Sequence, residues 1–281
     1  MTLSPARLAA CYRQACELEL QAFKPGNISV YADGHDMTVA DFRLSAEVSA
    51  APLCCPDYSL GEKIYYAVKA TRAAVGCNTN LGIILLAAPL VQAVLNNTGL
   101  GLRDALRQVL DSTTVSDADW VFRAIALAAP GGLGEAEQQD VHTGATVTLK
   151  AAMQLASGKD RIALQYLTAY EDIFDFALPT YYNGKNVWKS KSWSAVVVYT
   201  TMLSQFPDSH IERKYGNQYS QMIRQTMARL TQVLETPDPE QVLPLLYQTD
   251  AALKAQRINP GTTADMTVAT LLAVLLQEEC A

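Results

Sequence analysis

The feature that most constrains this chain is the return of apolar residues every three to four positions, with almost no alternating stretch between. Leu8, Cys11, Tyr12, Ala15, Leu18 and Ala22 recur on one helical face, as do Ile64, Tyr65, Val68, Arg72 and Val75. Similar patterns run over 100–110, 117–128, 147–155, 162–176, 192–205, 211–234, 240–253 and 264–278. The β-prone run Val196-Val197-Val198-Tyr199 lies inside one of them. The pattern predicts an all-α fold of about ten helices. No composition break or repeat divides the chain, so a single compact domain over 1–281 is expected.

Apolar residues make up 49% of the 281 positions and charged residues 18%, a balance that supports a large buried interior. A net charge of −6 and a pI near 5.1 exclude the basic face of a nucleic-acid binder. An acidic protein still binds polyphosphate where a metal and a few local cations neutralise it. The cysteines, Cys11, Cys16, Cys54, Cys55, Cys77 and Cys280, form no CxxC pair, and Cys54 and Cys55 are adjacent, so free thiols in a reducing compartment are expected. The N-terminal segment reads as an amphipathic helix, not a signal peptide. The most apolar run, Leu81–Leu95, is too short to span a bilayer and contains Pro89 and Gln92. Together these predict a cytoplasmic protein with neither membrane nor nucleic-acid partners; homo-oligomerisation stays open.

Between the helical patterns lie Lys24-Pro25-Gly26-Asn27, Ala129-Pro130-Gly131-Gly132-Leu133-Gly134-Glu135 and Asn259-Pro260-Gly261-Thr262-Thr263-Ala264-Asp265. Proline presets φ at the first central position of a turn and glycine accepts positive φ at the second. Such a turn ahead of a helix can aim backbone N–H groups at an anion, with Lys24 adding charge, or can simply be a turn and cap. The 130–135 stretch is no P-loop, because no Gly-Lys-Ser/Thr follows. The segment 181–193, with Lys185, Lys189, Lys191, Trp188 and Trp193, reads as the least regular part. It could be a solvated loop, a flap over phosphate or the contact surface of an interaction protein.

Thr38-x-x-Asp41, Ser116-x-x-Asp119 and Thr262-x-x-Asp265 have the spacing of a helix N-cap and its acidic N3 residue. Asp36, Asp41, Asp140, Asp160, Asp208 and Asp265 all lie in or beside polar turns or helix starts. Converging carboxylates of this kind would suit Mg²⁺, which takes oxygen ligands and substrate phosphates. His35, His142 and His210 lack zinc spacing, and there is no HExxH or GxSxG motif. His210 stands out beside Asp208, Arg213 and Lys214.

The order of these motifs carries more than any one of them. Glu19 with Lys24-Pro25-Gly26-Asn27, then His35-Asp36-Met37, Asp41-Phe42 and Ser45, then Asn78-Thr79-Asn80-Leu81-Gly82, resembles the triphosphoribosyl-dephospho-CoA synthase family. So do Gly132-Leu133-Gly134-Glu135 with Asp140-Val141, Asp208-Ser209-His210-Ile211 with Arg213-Lys214, and Asn259 to Asp265. The resemblance covers residues 10–275 or so. It implies an all-helical enzyme in which the 2′-hydroxyl of dephospho-CoA attacks the ribose of ATP and adenine leaves, yielding the precursor of a prosthetic group of citrate-lyase and malonate-decarboxylase acyl carriers.

Asn78-Thr79-Asn80 and Asn259-Pro260-Gly261-Thr262-Thr263 look closer to the branch found in archaea and one-carbon-metabolising bacteria, which makes a pterin or furan cofactor precursor an alternative acceptor. A non-catalytic nucleotide-binding helical protein is a further alternative. The resemblance implies that Asp36, Asp41 and His210 are catalytic, with Asp36 or Asp41 taking the acceptor's proton. Asp140, Asp208 and Asp265 would hold Mg²⁺. Lys24, Gly26, Asn27, Ser45, Asn78, Asn80, Gly132, Gly134, Glu135, Arg213, Lys214, Asn259, Gly261 and Thr262 would bind substrate and phosphate.

Overall fold

The computed structural model describes residues 3–34, 37–96, 98–130, 141 and 144–280. Among them there is no strand, only an isolated bridge between Ser29 and Ala32, and the fold is all-α as the periodicity predicts. The helices are α1 (Pro5–Leu20), α2 (Val39–Leu53), α3 (Leu60–Val75), α4 (Leu81–Leu95), α5 (Leu102–Asp111), α6 (Val115–Ala128), α7 (Leu149–Ala156), α8 (Arg161–Thr168), α9 (Leu178–Trp188), α10 (Lys191–Gln205), α11 (Ser209–Tyr215), α12 (Ser220–Val233), α13 (Pro239–Ala255) and α14 (Gly261–Cys280). A π-helical segment, Asp172–Ala177, leads into α9.

There are fourteen α-helices among the described residues, against about ten expected from periodicity. The 211–234 pattern is two helices, because Gly216 takes φ +60° between α11 and α12. Helix α2 is rich in small residues and α4 is apolar on every side, so neither shows a one-sided stripe. The 162–176 pattern breaks at Ala169 and Tyr170, both at positive φ, before the π-helical segment.

The largest correction falls on 181–193, which is α9 and the start of α10 rather than irregular chain. Gly184 sits where a Cβ would lie 3.3 Å from Ser194 Cα and from Val197 Cβ, so the glycine permits close approach of the two helices. Tyr181 and Trp188 are buried, Trp188 Nε1 donates to Leu234 O at 2.9 Å, and its ring stacks on Trp193 at 4.1 Å. Tyr181 and Trp188 are thus core, and Trp193 packs on Trp188 from α10, so the segment is not a solvated loop.

Two compact units divide the chain, one of Met1–Cys16, Ala40–Glu171 and Leu272–Ala281, the other of Glu17–Val39 and Asp172–Leu271. The first unit is built on α4, nearly all of which is buried against α3, α5 and α8. Pro89 has no N–H, so the carbonyl of Leu85 one turn earlier lacks its helical donor. Tyr166 supplies one, its hydroxyl donating to Leu85 O at 2.6 Å, and beside it the Tyr170 hydroxyl donates to Leu86 O at 2.9 Å. Tyr166→Phe should therefore cost about 1–3 kcal/mol of stability, the range for a buried acceptor left unpaired, read as a lower denaturation midpoint with an unchanged slope. Helix α6 is capped by Thr114 and Asp117, whose side chains satisfy each other's backbone N–H groups. The expected Ser116–Asp119 cap is thus two residues out of register.

The second unit is built on α10, packed between α9 and α12, with α13 against α12. All six cysteines are free. Among the described residues no helix is long and apolar enough to cross a membrane.

Candidate active site

The two Pro-Gly turns of the second unit, distant in sequence, pack against each other. Gly26 takes φ +83°, and a Cβ there would meet Ile258 O at 3.0 Å, Pro260 Cδ at 3.0 Å and Leu253 Cδ1 at 3.1 Å, which requires glycine twice over. Asn27 Nδ2 donates to Asn259 Oδ1 at 2.7 Å, tying the turns together. Gly26 N donates to Asp250 Oδ1 at 2.8 Å, and the other oxygen of Asp250 pairs with Lys254 Nζ at 3.0 Å. From α10, the Tyr199 hydroxyl donates to Pro25 O at 2.8 Å.

Lys24 lies beneath this junction at 0% exposure. Its ammonium pairs with Glu19 at 2.7 Å and donates to Asn27 Oδ1 at 3.1 Å and to Ile28 O. A lysine has three donors, and here all three are used. Burial pushes the Lys24 pKa down and that of Glu19 up, while their mutual attraction opposes both shifts, and Asp265 further favours the Lys24 cation. Lys24 therefore holds the turn, where the sequence suggested a phosphate ligand.

Asp208 is the second hub. One carboxylate oxygen accepts from the N–H groups of His210 and Ile211 at 3.0 and 3.2 Å, capping α11. The other accepts from the N–H and hydroxyl of Thr263 in the first turn of α14, both at 2.8 Å. Two helix N-termini, each carrying partial positive charge, thus share one buried carboxylate. Burial raises the Asp208 pKa, while the hydrogen bonds from Thr263 favour the charged form.

His210 is clamped to the start of α14. Its N–H also approaches Thr262 Oγ1 at 3.1 Å, and its Nδ1 lies 3.1 Å from where a Cβ on Gly261 would stand. Burial lowers the His210 pKa below 6.5, opposed by Asp208 and reinforced by Arg213 and Lys214. The unfolded chain, with its ordinary histidine, then takes up a proton before the folded one does. Stability should fall as pH drops through 6.5 toward the lowered folded value. Thermal unfolding across this window checks it, and His210→Gln should flatten that limb of the profile. Arg213 is half-buried, and Lys214 is exposed with its ammonium 5.1 Å from the Tyr215 ring centre.

The remaining described candidates belong to the first unit. Asp41 lies in the first turn of α2, three residues after Thr38, which immediately precedes the helix. The buried Ser45 hydroxyl donates to Asp41 O at 2.6 Å and lies 2.5 Å from that of Thr79. Ser49 meets the Tyr12 hydroxyl at 3.0 Å and Asn80 Nδ2 at 3.3 Å. Asn78 Oδ1 accepts from Leu81 N at 3.1 Å, at the start of α4. Asp36, Gly132, Gly134, Glu135 and Asp140, with His35 and His142, lie outside the described residues.

As a magnesium ligand Asp208 does not fit, since its oxygens are committed to four donors. Among the described residues no three His, Cys, Asp or Glu side chains gather as a metal site would need. Tyr199, Asp250, Thr263, Ser49 and Tyr12 are absent from the motif-based set. They sit mid-helix or beside a named residue, and only long-range contacts reveal them.

The model of the ATP:dephospho-CoA triphosphoribosyl transferase family matches residues 5–281, and the chain belongs to that family. The fold is similar to the crystal structure of a protein from Archaeoglobus fulgidus described as a triphosphoribosyl-dephospho-CoA synthase, at TM-score 0.62 and 21% identity, over 82% of this chain and 96% of that one. No curated protein gives a significant match.

Proposed function

We propose that this enzyme moves the triphosphoribosyl group of ATP to the hydroxyl of dephospho-CoA and releases adenine. The observation that supports the reading is the junction of the two Pro-Gly turns through Asn27 and Asn259, because it brings together two of the motifs on which the sequence resembles the family. In the reaction a bond forms from the acceptor oxygen to C1′ of the ribose while the bond from C1′ to the base breaks. The transition state resembles an oxocarbenium ion, as in glycoside hydrolysis. The hydroxyl proton passes to a carboxylate, for which Asp36 and Asp41 are the candidates, and a proton is delivered to the departing adenine.

Roles within the second unit follow from what each group already does. Asn27 and Asn259 fix the turn junction, Lys24 and Asp208 position it from below, and Arg213 and Lys214 are the cations closest in sequence to the clamped His210. Lys214, being exposed, is free to move toward phosphate charge. Mg²⁺ is expected to accompany the triphosphate. Of the aspartates named for it, Asp140 lies outside the described residues and Asp208 has both oxygens committed to donors, so the steps of the transfer rest on the chain's own groups.

The test is adenine release from ATP, followed by chromatography, with and without dephospho-CoA. Acceptor-dependent release supports the proposal. Release that needs a pterin or furan precursor in place of dephospho-CoA would overturn the acceptor, and nucleotide binding with no turnover on any acceptor would overturn the transfer.

A further inference from the structure

Three of the exposed large apolar side chains, Val30, Tyr31 and Tyr247, fall close to the first Pro-Gly turn. Residues 29–32 form a tight reversal in which Ser29 N donates to Ala32 O and Ala32 N to Ser29 O, each at 3.1 Å. Val30 N is tied to Leu20 O at 2.9 Å. A turn pinned on both sides cannot fold its central side chains inward, so Tyr31 stays 43% exposed.

The Tyr31 ring lies parallel to Phe23, with 5.2 Å between centres and 4° between planes. Tyr247 of α13, 48% exposed, stands edge-on to the same Phe23 at 4.6 Å. Phe23 itself is 1% exposed and immediately precedes Lys24. A buried ring thus anchors two solvent-facing rings set at right angles, one residue from the turn. Elsewhere, Tyr65 and Trp120 are covered by the guanidinium of Arg123 at 4.9 and 4.1 Å. Among the described residues no cation is seated on Tyr31 or Tyr247, which suits them to a neutral planar ring.

We infer that Tyr31 is a stacking platform for the purine base of the nucleotide donor, with Tyr247, set at right angles to it, meeting the edge of the base, so that adenine is held as its bond to the ribose breaks. This rests on the ATP-donor reading above, from which it takes the identity of the ring. Stacking on an aromatic side chain recognises the π face of a base and contributes enough for its removal to be read in binding.

The experiment pairs equilibrium dialysis with free adenine, which needs no turnover, with the KM for ATP. Tyr31→Ala and Tyr247→Ala should each weaken adenine binding and raise the ATP KM about ten-fold, with the KM for dephospho-CoA and the thermal midpoint little changed. Tyr31→Phe should restore both values, and Tyr31→Leu, apolar but without a π face, should not. Wild-type adenine binding and ATP KM in the double alanine variant would overturn the platform, as would a rise confined to the dephospho-CoA KM. Adenine binding lost in Tyr31→Ala, together with a wild-type enzyme that binds adenine but never releases it from ATP, would support the platform and sink the transfer reading.

Discussion

Lys24→Met should destabilise the protein more than any other single substitution of a charged residue in this site. Removing the ammonium leaves Glu19 buried without its partner and takes donors from Asn27 Oδ1 and Ile28 O. Breaking a buried pair from one side costs about 3–5 kcal/mol, and in a chain of this length that lowers the melting midpoint by roughly 6–20 °C. The double variant Glu19→Gln, Lys24→Met should recover part of the loss, since the uncompensated carboxylate is gone. Calorimetry without nucleotide distinguishes this from a phosphate ligand, whose removal would weaken ATP binding and leave the ligand-free midpoint alone.

Asp208→Asn should cost on the order of a hundred-fold in kcat/KM, the scale of a small misplacement of catalytic groups. An amide has only one accepting oxygen, so its NH2 must face either the two N–H groups of α11 or the N–H and hydroxyl of Thr263. Whichever side loses, buried donors go unpaired, at about 2–4 kcal/mol in stability. The junction of α11 with the first turn of α14 then loosens, and with it the position of His210 over Gly261. Excess Mg²⁺ should rescue neither activity nor midpoint; rescue by the metal would return Asp208 to the role of a ligand.

The helices were legible where one face is apolar and the other wet, and less so elsewhere. Helix α4 is apolar all round and α2 is rich in small residues, so periodicity is silent on both. The 181–193 segment misled because three lysines look like loop chemistry, whereas Gly184 marks helix-to-helix contact and Trp188 is buried in the interior. At the site, the two Pro-Gly turns were visible as similar motifs, because turn chemistry is local. Their junction was not, since nothing local indicates that Asn27 reaches Asn259.

Burial was the other hidden quantity. Beside a polar turn Lys24 reads as a surface cation, and only its complete enclosure reverses that meaning. Asp208 reads as a helix cap or a metal ligand with equal ease. Its second set of bonds, to a threonine 55 residues away, makes the choice. Tyr199 and Asp250 carry no sequence signal, sitting within ordinary helical patterns, yet they hold Pro25 and Gly26 in place.

Transfer of the triphosphoribosyl group is tested most directly by the mass of the acceptor after incubation of the enzyme with Mg-ATP and dephospho-CoA. It predicts dephospho-CoA heavier by one triphosphoribosyl group, with free adenine in equal amount. Unchanged dephospho-CoA accompanied by ADP or inorganic phosphate would contradict it.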